Sequence, residues 1–394
     1  MDLVLELSRA LLTRTRSLRL GDYGVRRNLR RTALAGAVAA AFVALTPGGA
    51  GQAASLHWSL VNSPKASSGD NQLNSVSCVG LSFCMAVGSN YGTAEQALIE
   101  KWDGSSWSVV SSPNNSSVQL EGVSCASTSS CMAVGYYYAT ADQALIEEWN
   151  GTSWSVVSSP NPVGGNYLTG VSCVSGSFCV AVGFYANSEL TLIEEWNGTT
   201  WRLVNSPNQS GSVFDFLEAV SCTSASFCMA VGDYSNGSDT NGQALIEKWN
   251  GLTWLLSPPN ISSTHSNYLG GVSCVSKSFC LATGYFFNIN QPLTEKWNGS
   301  GWRTLSSPFS QFTGVSCVSS SFCMAVGSTY ATNFQTRIEK WNGSSWSIVS
   351  SPNTSATQDN QLNGVWCAST SFCIAAGSYF NGANNQTLIE KWAA

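Results

Sequence analysis

Every cysteine in the chain belongs to a Cys-x5-Cys pair, and there are seven such pairs: Cys78/Cys84, Cys125/Cys131, Cys173/Cys179, Cys222/Cys228, Cys274/Cys280, Cys317/Cys323 and Cys367/Cys373. Successive pairs begin 47, 48, 49, 52, 43 and 50 residues apart. Self-similarity at this period is the signature of a repeat architecture. One unit of that size cannot bury a hydrophobic face alone and must stack on its neighbours.

The unit starting at Leu120 shows the pattern clearly. Strand-like pieces at Gly122–Cys125, Cys131–Gly135, Ala144–Trp149 and Trp154–Ser158 alternate with turn signals, and Asn150-Gly151 forms a tight-turn dipeptide between the last two. Ser159-Pro160 ends the unit, because proline cannot continue a paired strand. Four antiparallel strands per unit make a β-propeller blade, so the expected fold is all-β with seven blades.

The tryptophans count the blades independently. Trp102, Trp149, Trp196, Trp249, Trp297, Trp341 and Trp392 end the third strands, and Trp107, Trp154, Trp201, Trp254, Trp302 and Trp346 each follow five residues later. The seventh unit stops at Trp392-Ala393-Ala394 without a fourth strand. His57–Pro64 has the character of that missing strand and precedes the first cysteine repeat. It is therefore expected to pair with Leu388–Trp392 and close the ring, removing two exposed edges. Trp366 falls outside the scheme.

Residues 1–54 read separately from the 55–394 propeller. Arg26, Arg27, Arg30 and Arg31 precede an apolar run from Ala33 to Leu45, then Pro47 and small residues through Ala54. This is the build of a secretory signal, too short to span a bilayer, with a weak likeness to a twin-arginine signal. Beyond it remain 10 basic and 20 acidic residues, a net charge of −10. An acidic surface without basic clusters argues against nucleic acid as a partner. Only 10% of the whole chain is charged, with Ser, Thr, Asn and Gly in place of charge, as in secreted β-rich proteins. The expectation is a secreted, soluble monomer with no membrane span after signal cleavage and no cofactor.

Loop lengths separate two faces. The five residues between paired cysteines and the five-residue Trp–Trp step are invariant where present. The step from second-strand glycine to third-strand apolar residue varies from 9 (Gly183 to Leu192) to 13 (Gly232 to Leu245). The step from blade-ending proline to the next cysteine varies from 9 (Pro308 to Cys317) to 15 (Pro207 to Cys222). Both variable connections share one face, which points to it as the binding face.

The pattern resembles the kelch and Asp-box propellers. The glycine ending the second strand and the aromatic pair around the third-to-fourth turn are kelch-like, but the kelch double glycine is missing. Gly104-Ser105-Ser106-Trp107 keeps the end of the Asp-box pattern, with Trp102 where the Asp should be. The VSC-x5-C-x-AVG…EKWNGSSW unit also resembles repeats common in secreted proteins of actinobacteria. The resemblance implies architecture over residues 55–394 and carries no catalytic residues.

A series of paired cysteines first suggests a redox or metal framework. Cysteines at i and i+6 of a hairpin, however, face each other on adjacent strands, where Cα atoms lie about 4.5–5.5 Å apart, inside the disulfide range. Secretion and the absence of an odd cysteine agree, so seven intra-blade disulfides are expected. Zinc would want closer pairs with histidine nearby, and only His57 and His265 are present. No metal site is expected.

Glu100, Glu147, Glu194, Glu247, Glu295, Glu339 and Glu390 precede the third-strand tryptophans. They read either as a cation-binding ring or as a repeated structural hydrogen bond. Repetition favours the second reading, because buried acids must be paired. Tyr91, Tyr137, Tyr185, Tyr234, Phe286, Tyr330 and Tyr379 cluster where the second strand enters the variable loop. They could stack on sugars, anchor a protein, or pack between blades. Lower-symmetry candidates on the same face are Phe214, Asp215, Phe216, Asp233, Asp239 and Phe309. The Asn150, Asn197, Asn298 and Asn342 sequons are turn residues first.

No catalytic residues can be assembled. Beyond residue 54 there are three arginines (Arg202, Arg303, Arg337), too few for a sialidase-type cluster, and two histidines, too few for a copper oxidase propeller. No nucleophile stands beside a base. The pair Asp215 and Glu218 could serve glycoside hydrolysis, although a solvated loop pair is the commoner case. The sequence thus points to a non-enzymatic binding module for extracellular glycan or protein. A glycoside hydrolase or lyase using variable-face carboxylates is the alternative, and a structural surface protein the third reading.

Overall fold

The computed structural model describes residues 55–394 apart from 114–116, 140, 163, 236–241, 262–264, 288, 290, 309 and 310. Residues 1–54, expected to be a secretory signal, and Asp239 and Phe309 lie outside the described residues. The rest forms seven four-stranded antiparallel sheets. Blade 1 runs Asp70–Cys78, Cys84–Tyr91, Glu95–Trp102 and Trp107–Val110. The first strands of blades 2 to 7 are Val118–Ser127, Asn166–Ser175, Phe214–Ser224, Asn267–Ser276, Phe312–Ser319 and Asn360–Ser369. These first strands lie against one another all the way round, from blade 1 through blade 7 and back, so they line the axis. Seven hydrophobic clusters fill the gaps between adjacent blades.

The ring closes as the sequence implies. His57–Val61 pairs with the last strand in register Trp58↔Trp392 and Val61↔Ile389, giving blade 7 its outer strand. The tryptophan pair of each blade sits across this outer pairing with ring centroids 5.6–5.9 Å apart.

Each cysteine pair is in direct cross-strand register and forms a disulfide: Cys78–Cys84, Cys125–Cys131, Cys173–Cys179, Cys222–Cys228, Cys274–Cys280, Cys317–Cys323 and Cys367–Cys373. Their Cα atoms stand 3.9–4.0 Å apart. This is tighter than the expected cross-strand spacing, because the pair sits at the neck of the hairpin.

The two cysteines of a pair are not equally placed. Cys84, Cys131, Cys179, Cys228, Cys280, Cys323 and Cys373, on the second strands, are fully buried in the clusters between blades. Their first-strand partners Cys173, Cys222, Cys274 and Cys317 are half-buried at the edge of the same clusters. The series is the disulfide framework that its spacing predicts. A thiol-derived sulfur sealed inside an interblade core cannot face a ligand, so Cys179, Cys228, Cys280, Cys323 and Cys373 are core residues and not parts of a binding surface.

The third-strand tryptophan braces the same hairpin from outside. Its indole N–H donates to a turn carbonyl in every blade, for example Trp149 to Thr128 at 3.1 Å and Trp249 to Ala225 at 2.9 Å.

The remaining repeated residues stitch blade to blade. The serine of each Val-Ser-Cys accepts the backbone N–H of the next blade's first cysteine at 2.9–3.0 Å, from Ser77–Cys125 through Ser316–Cys367. Blade 7 carries Trp366 at that position, 37% exposed. Lys101, Lys248, Lys296, Lys340 and Lys391 each lie 5.2–5.9 Å from the third-strand tryptophan ring of the following blade, within cation–π range.

The second-strand glycine has a steric cause. Each inner strand bulges beside it, as between Leu168 and Gly170. The bulge brings a carbonyl oxygen to 1.8–2.1 Å from where a Cβ would stand on Gly88, Gly135, Gly183, Gly232, Gly284, Gly327 or Gly377. Only glycine fits there.

Candidate functional site

The strands on the variable face are longer than the sequence pattern implies. In blade 2 the first two strands run Val118–Ser127 and Ser130–Tyr138, well past Gly135. The seven aromatics expected at loop mouths therefore lie on paired second strands. Side chains on a strand alternate between its faces. Tyr137, Tyr185, Tyr234, Phe286 and Tyr379 stand two residues beyond the glycine and are half-buried against the clusters between blades. Tyr91 and Tyr330 stand three residues beyond it, on the other face, and are 55% and 53% exposed. The seven do not form one surface.

The seven glutamates are all fully buried, and the structure accounts for six with one device. The serine of the preceding blade's Ser-Pro turn donates to the carboxyl: Ser63 to Glu100, Ser112 to Glu147, Ser159 to Glu194, Ser206 to Glu247, Ser307 to Glu339 and Ser351 to Glu390, at 2.7–3.0 Å. Glu295 takes the hydroxyl of Thr304 at 2.6 Å and the Asn260 N–H at 3.4 Å instead. Burial is the main cause that pushes the carboxyls up, to about 8 for Glu100, Glu247 and Glu390, to about 7 for Glu147, Glu194 and Glu339, and upward for Glu295. These are latches between blades.

Asp215 is fully buried, and burial raises its pKa. Its Oδ2 accepts the Gln209 N–H and the Ser212 hydroxyl, both at 2.9 Å, closing the loop into blade 4. Asn71, Asn166 and Asn360 tie down the corresponding loops of blades 1, 3 and 7. Asp215 is thus placed as a loop anchor, which does not suit pairing with Glu218 as a hydrolytic acid. Asp233 is also buried, across from Phe216.

The place where blades differ most lies one residue beyond each second-strand glycine, together with its inner-strand partner. In blades 7 and 1 this pair is Gln361↔Ser378 and Gln72↔Ser89. Gln311 and Ser328 flank the Phe312↔Gly327 pair at the same level of blade 6. In blade 2 it is Gln119↔Tyr136, with the tyrosine hydroxyl donating to the glutamine at 2.7 Å. In blades 3, 4 and 5 it becomes Tyr167↔Phe184, Phe216↔Asp233 and Tyr268↔Tyr285.

The rings form a continuous array across three blades. Tyr136–Tyr167, Tyr167–Phe184, Phe184–Phe216 and Phe216–Phe214 have centroids 4.7, 4.9, 4.5 and 4.9 Å apart. Blade 5 adds Tyr268, Tyr285 and Phe287, with Tyr285 and Phe287 4.9 Å apart. Tyr167 also donates its hydroxyl to Asp142. Phe214 and Phe216 were legible as asymmetric. Tyr136, Tyr167, Phe184, Tyr268 and Tyr285 were missed, although counting one residue past each glycine would have found the second-strand members.

No family model matches the sequence, and no curated protein matches it. The structure is similar to solved propellers: YCF48 bound to D1 peptide (11% identity, TM-score 0.56, 87% of this chain and 96% of the other), U3-55K (10%, 0.56, 86% and 98%) and YCF48 from Cyanidioschyzon merolae (11%, 0.54, 86% and 99%). At such identities the likeness is one of fold. With the strand topology, it makes the chain a seven-bladed β-propeller whose blades repeat and each carry one disulfide.

Proposed function

We propose that this propeller is a non-catalytic binding module that recognises an extracellular glycan or protein through its variable-loop face. The observation that carries the reading is the broken symmetry one residue past the glycines. Rings fill this level in blades 2 to 5, while amides and hydroxyls hold it in blades 6, 7 and 1. A purely structural layer would repeat, as the serines, lysines, glutamates and tryptophans of the blade interfaces do. The half-buried Tyr136, Phe214, Phe216 and Tyr268 supply contact area at low entropic cost over the buried rings of Tyr167, Phe184 and Tyr285, and flanking amides supply direction.

Seven disulfides accord with an oxidising, extracellular setting. Among the described residues no helix is long and apolar enough to cross a membrane. Secretion as a monomer fits this reading, and the structurally similar YCF48 is a propeller bound to a peptide. The test is a glycan array and a peptide array probed with the chain, with a hydrolysis screen on the same polysaccharides. Binding without turnover is expected. Turnover would replace this reading with a hydrolase or lyase, and silence in all three assays with a structural role.

A further inference from the structure

Blade 4 departs from its siblings where the chain leaves the outer strand. In blades 1, 2, 3 and 6 an asparagine follows the outer-strand tryptophan by seven residues: Trp107/Asn114, Trp154/Asn161, Trp201/Asn208 and Trp346/Asn353. In blade 4 the step from Trp254 to Asn260 is six, and Pro259 stands where the others have the latch serine.

In blades 2, 3 and 6 that asparagine has a defined role. Asn161 accepts the Ala144 N–H at 2.8 Å and donates to the Ala144 carbonyl at 3.1 Å. Asn208 and Asn353 accept the N–H of Thr191 and Thr336, both at 2.9 Å. The side chain closes over the third-strand edge beyond the end of the short outer strand. In blade 4 the equivalent N–H, on Ala244, goes instead to Asn267 of blade 5 at 2.8 Å. Pro259 offers neither an N–H nor a hydroxyl.

A cavity of about 320 Å³ lies along this edge. Gln209, Tyr234 and Gln243 are among its polar lining residues, and Pro258, Pro259 and Ile261 among its apolar ones. Among the described residues, no charged side chain lines it. A cavity of this volume accepts a small molecule or one ring of a polymer. An anion or cation would lose its hydration without a counter-charge. A purely aliphatic group would suit the prolines but leave the Gln209 amide and the Tyr234 phenol facing hydrocarbon, whereas the Gln243 amide already accepts from Asn267 and donates to the Gly242 carbonyl, both at 3.0 Å. A ring with C–H faces and several neutral hydroxyls matches both kinds of lining.

We propose that this cavity seats one neutral sugar ring, its C–H face on Pro258 and Pro259 and its hydroxyls toward Gln209 and Tyr234. The inference rests on the variable face being a binding surface and narrows its ligand to neutral glycans. Saturation-transfer NMR on the full chain with glucose, galactose, mannose and N-acetylglucosamine tests it, with glucuronic acid as the charged control. At least one neutral sugar should bind at about 1–10 mM, and glucuronic acid should not. Inserting one serine between Pro258 and Pro259 restores the spacing of the other blades and should weaken binding at least about tenfold. Should that variant fail to fold, Pro259→Trp, which fills the cavity from its solvent side, takes its place with the same expectation. Equal sugar binding by parent and variant overturns the cavity assignment and leaves the face as a sugar-binding surface. Peptide binding without sugar binding overturns the ligand class and leaves the binding module. Binding of neither kind overturns both.

Discussion

The Ser63 hydroxyl lies 2.8 Å from both carboxylate oxygens of Glu100 and 2.6 Å from the Thr387 hydroxyl. Ser63 follows the strand that completes blade 7, and Glu100 sits on the third strand of blade 1. The contact that joins the two ends of the ring is thus the one that joins its interior blades. Ser206 repeats it by meeting Thr191 and Glu247, as does Ser351 with Thr336 and Glu390.

Ser63→Ala leaves a buried carboxyl without its hydroxyl partner. The expected loss is about 1–3 kcal/mol, read from guanidinium denaturation. Removing residues 55–64 exposes the edge of the last strand as well and should destabilise far more than the point change. Equal stability of the deletion and the parent would contradict ring closure by this segment.

Stability should fall as pH rises. The glutamate carboxyls titrate at about 7 to 8 in the folded chain, against a reference value of 4.5. Between those values the folded state holds protons that the unfolded state has released, so the contribution is full below 4.5 and lost as pH climbs through 7 to 8. The melting temperature should drop steadily from about pH 5 to about pH 9, and Glu100→Gln should flatten part of that slope. A melting temperature that rises across the interval would refute the burial of these groups.

Gly183→Ala places a methyl 1.9 Å from the Tyr167 carbonyl oxygen, so the inner-strand bulge must shift. A loss of about 3 kcal/mol is expected in equilibrium unfolding. Gly301, with nothing within 4 Å of its would-be Cβ, should tolerate the same change.

Non-reduced chain should weigh about 14 Da less than its fully reduced form, two hydrogens per bond. Each disulfide spans a sequence separation of only 6. Replacing Cys125 and Cys131 together by alanine should therefore cost less than about 3 kcal/mol. Free thiols in the native chain would remove the oxidised framework from the account.

Much of this was legible because it repeats. The period gave the blades, the orphaned last strand gave the closing segment, and the even cysteine spacing gave the disulfides. The aromatic layer was harder to read because strand side chains alternate. Tyr137 and Tyr91 look equivalent in the sequence, yet they stand two and three residues past their glycines and point to opposite faces. Tyr167 and Tyr268 precede the recognisable Val-Ser-Cys on inner strands that extend further than the pattern suggested. Asp215 looked like an available acid because nothing local reveals that it closes a loop where other blades use asparagine.

The most direct test of the account is to remove the inner-strand rings of blades 4 and 5 from the layer one residue past the glycines. Phe216→Gln with Tyr268→Gln gives blades 4 and 5 the residue that blades 1, 2, 6 and 7 carry at this level. The measurement is the affinity of this double variant for the best ligand from the arrays, with its melting temperature as a check on folding. The account predicts a folded propeller that binds at least about tenfold more weakly, a loss of at least about 1.4 kcal/mol. A folded variant with unchanged affinity would contradict the assignment of binding to this layer.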